Sequence, residues 1–94
     1  MTEQIERIVQ NEELLDEATA VLERFEEALE LFGSVQQKIK DLGRYYGSEE
    51  WRKDFEDDEA GQLPKDLKRG VLSEDGIYDI LTKNELLLKS CREL

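Results

Sequence analysis

The stretch IVQNEELLDEATAVLERFEEALELFGSVQQKIKDLGRYY, residues 8–46, decides the fold. Within it Ile8, Leu15, Leu22 and Leu29 recur every seven residues, and Ala18, Phe25, Phe32, Ile39 and Tyr46 make a second series at the same spacing. Seven residues are close to two helical turns, so each series is a column on one side of an α-helix. Leu14, Val21, Ala28, Val35 and Leu42 add a third column beside the other two. Three columns are wider than the seam of a two-stranded zipper and match the packing surface of a bundle.

Gly33-Ser34 is the one place where this helix could break, since glycine ends helices and serine starts them. The phase runs through it: Phe32, Ile39 and Tyr46 continue the earlier series with no residue gained or lost. A glycine inside a helix costs only about 1 kcal/mol relative to alanine. A single helix over about residues 3–45 is therefore expected, with any bend at Gly33. At 1.5 Å per residue it would be roughly 60 Å long. The rest of a short chain could not cover such a length, which argues for a dimer.

Outside this stretch the sequence predicts two shorter helices. Ser48 is placed to cap a second helix over about 48–58, with Glu49 and Glu50 facing its unpaired amides. Trp51 and Phe55 share one face of it, and Asp54, Glu56, Asp57, Asp58 and Glu59 crowd the remainder. Residues 62–72 form a connector in which Pro64 and Gly70 direct the turns and Val71-Leu72 is expected to anchor in the core. Ser73 should then cap a third helix over about 74–92. Its apolar stripe is Ile77, Ile80, Leu81, Leu87, Leu88 and Cys91, with Asn84 inside the stripe at a wet edge or a register point.

The expected architecture is all-α and one domain over residues 1–94. The long N-terminal helix packs against a short middle helix and a C-terminal helix, an open helical bundle that dimerisation would complete. A 94-residue chain hides only about 60–65% of its extended surface, so its core must be thin.

Composition excludes more functions than it indicates. The 24 acids against 13 bases give a formal charge of -11, and there is no histidine. Such a field opposes direct contact with nucleic acid or anionic membrane and keeps the chain soluble. The charge is uneven: residues 1–33 hold ten acids and two bases, whereas 35–44 and 62–70 are net positive. That pattern can steer docking between opposed surfaces. With no histidine, hydrolytic triads and most transition-metal sites are absent. No phosphate-binding or dinucleotide-binding glycine motif occurs either.

The single cysteine, Cys91, allows no intrachain disulfide, and its leucine neighbours suggest a partly buried thiol. The Asp54–Glu59 run lacks the sharp glycine turn of a calcium loop, since its sixth position is Glu59. No catalytic, cofactor-binding or metal-binding residues are assigned, and no cofactor is expected. The N-terminus has no signal or membrane-spanning pattern, so a cytoplasmic location is expected.

The residues Tyr45-Tyr46-Gly47-Ser48, Trp51, Asp54, Leu63-Pro64 and Arg69-Gly70-Val71-Leu72-Ser73-Glu74-Asp75 resemble a family of small bacterial proteins catalogued as domain of unknown function number 4298. The resemblance implies a cytoplasmic protein of bacterial or bacteriophage source and no particular activity. It marks Tyr45, Tyr46, Trp51, Asp54, Gly70, Ser73, Glu74 and Asp75. Physics gives much of the string a structural duty: Arg69 can pair with an acid of the middle helix, Gly70 turns the chain, Val71-Leu72 plugs the core and Ser73 caps.

The function read from these features is a non-enzymatic, acidic, helical protein–protein interaction module that forms a homodimer. Its candidate interaction surface is Tyr45, Tyr46, Trp51, Asp54, Asp57, Asp58, Glu74 and Asp75, facing a protein partner. One alternative is an acidic decoy that inhibits a nucleic-acid-binding protein; another is a helical enzyme or small-ligand carrier with a pocket at Tyr45, Tyr46 and Trp51.

Overall fold

The computed structural model describes residues 2–93 and is all-α. Helix α1 spans Thr2–Tyr46, α2 spans Glu49–Glu59, a single 3₁₀ turn η1 spans Gly70–Leu72, and α3 spans Gly76–Glu93. No strand is present among the described residues. α1 passes through Gly33-Ser34 without interruption. The Ser34 hydroxyl donates back to the Leu31 carbonyl at 2.9 Å instead of capping a new helix. The continuous apolar phase has therefore outweighed the local preference of Gly-Ser for a break.

The chain divides into two compact units, one ending at Val35 and the other beginning at Gln36. The first is the N-terminal part of α1. Its apolar residues are exposed: Leu22 is 67% exposed, Leu14 62%, Ile8 53% and Phe25 49%. No residue of α1 is fully buried among those described.

The second unit holds the last turns of α1 together with α2, η1 and α3. α1 meets α3 through small and polar residues. Gly43 leaves room for Leu81, whose Cδ2 lies 3.5 Å from where a Cβ would stand. Seven residues back along α1 and three residues on along α3, the amides of Gln36 and Asn84 bond each other in both directions, at 3.0 and 2.9 Å. The buried core is small. Leu72 from η1 is 6% exposed, Ile77 at the start of α3 is 2% exposed and Asn84 is 8% exposed. A core of this size explains why short polar connections carry so much of the unit.

Two local expectations need correction, and a third, left between two alternatives, is decided. Val71 does not anchor beside Leu72; a single 3₁₀ turn can aim only one of two consecutive side chains inward, and Val71 stays exposed. Cys91 is exposed, not partly buried. The chain's own cover, η1 over the start of α3 and Gln36 over its midpoint, stops short of the last turn. Asn84, placed on a wet edge or at a register point by its spacing, is buried and bonded, which is the register arrangement.

Candidate functional site

The candidate surface gathers where α1 ends and α2 begins. Ser48 makes this corner: its Oγ donates to the Tyr45 carbonyl at 2.7 Å and accepts from the Trp51 amide at 3.1 Å. The residue is extended (φ -83°, ψ 162°), as an N-cap requires. The turn brings Tyr45 and Tyr46 against the first two turns of α2. The Tyr45 hydroxyl donates to Asp54 Oδ2 at 2.6 Å. Its pKa is pushed up to about 12, first by that hydrogen bond to a carboxylate, then by burial and by the negative charges of Asp54 and Glu50.

Tyr46, Trp51 and Phe55 form a row of rings. Trp51 stacks on Phe55 with centroids 5.2 Å apart and planes 21° apart, and meets Tyr46 edge-on at 5.2 Å and 68°. Both polar ends are used inside the fold. The Trp51 indole donates to the Val71 carbonyl at 2.9 Å, and the Tyr46 hydroxyl donates to the Glu74 carbonyl at 3.1 Å. Trp51 is half-buried, so the row ties η1 and the start of α3 to α2 while leaving a ring edge in contact with solvent.

Arg69 closes the other side. Its guanidinium pairs with Asp58 and donates to the Pro64 carbonyl at 2.5 Å and the Leu67 carbonyl at 3.3 Å. One cation thus ties two connector carbonyls to an acid of α2. Ser73 Oγ donates to the Gly70 carbonyl at 2.7 Å and accepts from the Gly76 amide at 3.0 Å, capping α3.

Of the eight candidate surface residues, Tyr45, Tyr46, Trp51, Asp54 and Asp58 come together through these internal bonds. The side chains of Asp57, Glu74 and Asp75 make no hydrogen bond or ion pair among the described residues. On the acidic side of α2 Glu56 and Glu59 are exposed and Asp57 is half-buried, with Asp58 held by Arg69. Among the described residues no three acidic or cysteine side chains converge as a metal site would require.

The Gln36–Asn84 pair lay outside the candidate set. A signal for it was present: Gln36 follows Ile8, Leu15, Leu22 and Leu29 in their column, and Asn84 lies seven residues from both Ile77 and Cys91. Two polar interruptions of two apolar columns are what a facing amide pair looks like in one dimension.

Residues 8–94 match the model of the family described as Domain of unknown function (DUF4298), and the chain belongs to that family. No curated protein matches the chain, and no solved structure matches it.

Proposed function

We propose that this member of the DUF4298 family is a non-catalytic cytoplasmic interaction protein that self-associates through the apolar face of α1. It presents the acidic side of α2, with the Trp51 ring edge beside it, to a basic protein partner. The observation that carries this reading is the exposure of an ordered apolar face. Ile8, Leu14, Leu15, Val21, Leu22, Phe25 and Leu29 share one side of a continuous helix and are all exposed. Isolated exposed leucines are ordinary, whereas a contiguous apolar patch of more than a few hundred Å² marks an interaction surface.

The acidic part of the reading rests on charge and on the internal bonds just described. Asp58 and Asp54 have structural partners, which leaves Glu56, Asp57 and Glu59 as carboxylates available to a partner. No described helix is long and apolar enough to cross a membrane; the formal charge of -11 opposes an anionic lipid surface, and the exposed face is read as a protein contact.

Sedimentation equilibrium over a concentration series tests self-association. A dimer that dissociates on dilution is expected; a monomer at tens of micromolar would remove this half of the proposal. For the acidic half, Glu56→Gln, Asp57→Asn and Glu59→Gln together should leave the melting temperature unchanged and weaken capture of a basic partner. Undiminished capture would remove that half.

A further inference from the structure

Two carboxylates without an internal partner line one cleft of the second compact unit. We infer that this cleft, between the end of α2 and η1, takes an arginine side chain of the basic partner, held by Glu59 and Glu74 beside the ring of Phe55. The inference rests on the acidic-side reading proposed above. It adds the residue type recognised and a second wall, from the turn that leads into α3.

The cleft is open and holds about 380 Å³, the size of a small-ligand site. Phe55, Asp58 and Glu59 line it from α2, Arg69 and Leu72 from the connector and η1, and Ser73 and Glu74 from the turn into α3. Its apolar part is set by the core. Leu72 is buried, and Phe55 is half-buried with its ring stacked on Trp51 at 21°.

The bonding inside the fold decides what the cleft can hold. Arg69 gives its Nε to the Leu67 carbonyl, one terminal nitrogen to the Pro64 carbonyl and the other to Asp58. Ser73 Oγ is used by the Gly70 carbonyl and the Gly76 amide. The lining side chains with uncommitted polar atoms among the described residues are therefore Glu59 and Glu74, both exposed. An anion would meet two unpaired carboxylates and a guanidinium already bonded on all three nitrogens. A cation meets three carboxylates against one guanidinium, a complementary field.

The helix dipole acts in the same direction. α2 ends at this cleft with Glu56, Asp57, Asp58 and Glu59 in sequence and no basic residue in its last turn. The C-terminal end of a helix is its negative end and favours cations, so these acids stand where the dipole disfavours them. Arg69 compensates Asp58 alone. An arriving positive charge relieves the rest.

The apolar wall selects arginine over lysine. A guanidinium is planar and weakly hydrated, lies against an aromatic ring, and carries enough N–H donors to serve two carboxylates from separate elements. An ammonium is a compact, strongly hydrated point charge and gains less from Phe55 and Leu72.

Titrating the isotope-labelled full chain with N-acetyl-arginine amide, at one low ionic strength, should shift the amide resonances of residues 55–59 and 69–76 in a saturable way. N-acetyl-lysine amide should bind more weakly, and N-acetyl-citrulline amide, which keeps the shape without the charge, should not bind. Glu59→Gln and Glu74→Gln should each raise the dissociation constant by about 3–5-fold, the worth of one exposed ion pair. Both positions are exposed, and Tyr46 bonds the Glu74 carbonyl and not its carboxylate, so these variants keep the fold. Asp79→Asn removes the same charge from an exposed site on α3 outside the cleft and should leave binding unchanged. Equal weakening by Asp79→Asn, equal binding of the lysine or citrulline amide, or no saturable shift would overturn the inference. In that event, capture of a basic partner that still falls with Glu56→Gln, Asp57→Asn and Glu59→Gln together would leave the acidic-side reading standing. Undiminished capture would remove that reading as well.

Discussion

Replacing Asn84 by leucine tests whether the amide pair holds α3 against α1. The two side chains exchange hydrogen bonds of 3.0 and 2.9 Å, and Asn84 is 8% exposed. Asn84→Leu keeps the branching and heavy-atom count of the side chain but removes both bonds and sets the Gln36 amide against an apolar neighbour. Each bond contributes about 1 kcal/mol net, and Gln36 is itself only half-buried. The expected loss is about 2 kcal/mol, or roughly 8–16 °C in melting temperature for a chain of this length. Gln36→Leu should cost a similar amount. The double variant, which replaces the whole polar pair by an apolar one, should return to within about 1 kcal/mol of wild type. Thermal and urea unfolding of all four proteins, at one fixed protein concentration because dimerisation shifts apparent stability, closes the cycle. A coupling energy near zero, with the double loss equal to the sum of the singles, would refute the reasoning.

Three other perturbations test single positions. A Cβ on Gly76 would fall on the Gly70 carbonyl oxygen and 2.7 Å from Ser73 Oγ, so Gly76→Ala should destabilise by about 1–3 kcal/mol, read as a lower urea midpoint. Gly33→Ala, with open space around its Cβ position, should be neutral or stabilising in the same assay. Tyr45 holds its proton more tightly in the folded chain than at its ordinary value of 10.0, so its contribution to stability is full below pH 10 and is lost as pH rises towards about 12. Tyr45→Phe should lower stability at neutral pH and flatten the fall between those limits. An unchanged alkaline slope in thermal melts would rule out the Tyr45–Asp54 bond as its source.

The helices were legible because their signals are local. The unbroken phase from Ile8 to Tyr46 predicted α1 through Gly33, and Ser48 and Ser73 marked the caps that the structure shows. The pairing of Arg69 with an acid of α2 was legible in kind, though not in its partner Asp58. Asn84 was only half legible, since one column shows that a polar residue interrupts it but not what faces it. The candidate surface was readable as a cluster in sequence. Which of its carboxylates remain available was not, because that depends on where Tyr45 and Arg69 reach.

By itself, then, the sequence determined the all-α class, the long first helix, the uneven charge and the family. These follow from spacing and composition, which act along the chain within a few turns. Only the tertiary structure decided that Leu72 and not Val71 is buried, that Gln36 meets Asn84, and that Arg69 ties Asp58 and not Asp57. Those outcomes depend on contacts between residues far apart in sequence, where a single turn at η1 or a single cap at Ser48 sets which side chain arrives. The apolar face of α1 belongs to both levels: its pattern is written in the seven-residue columns, and its exposure is a property of the folded chain.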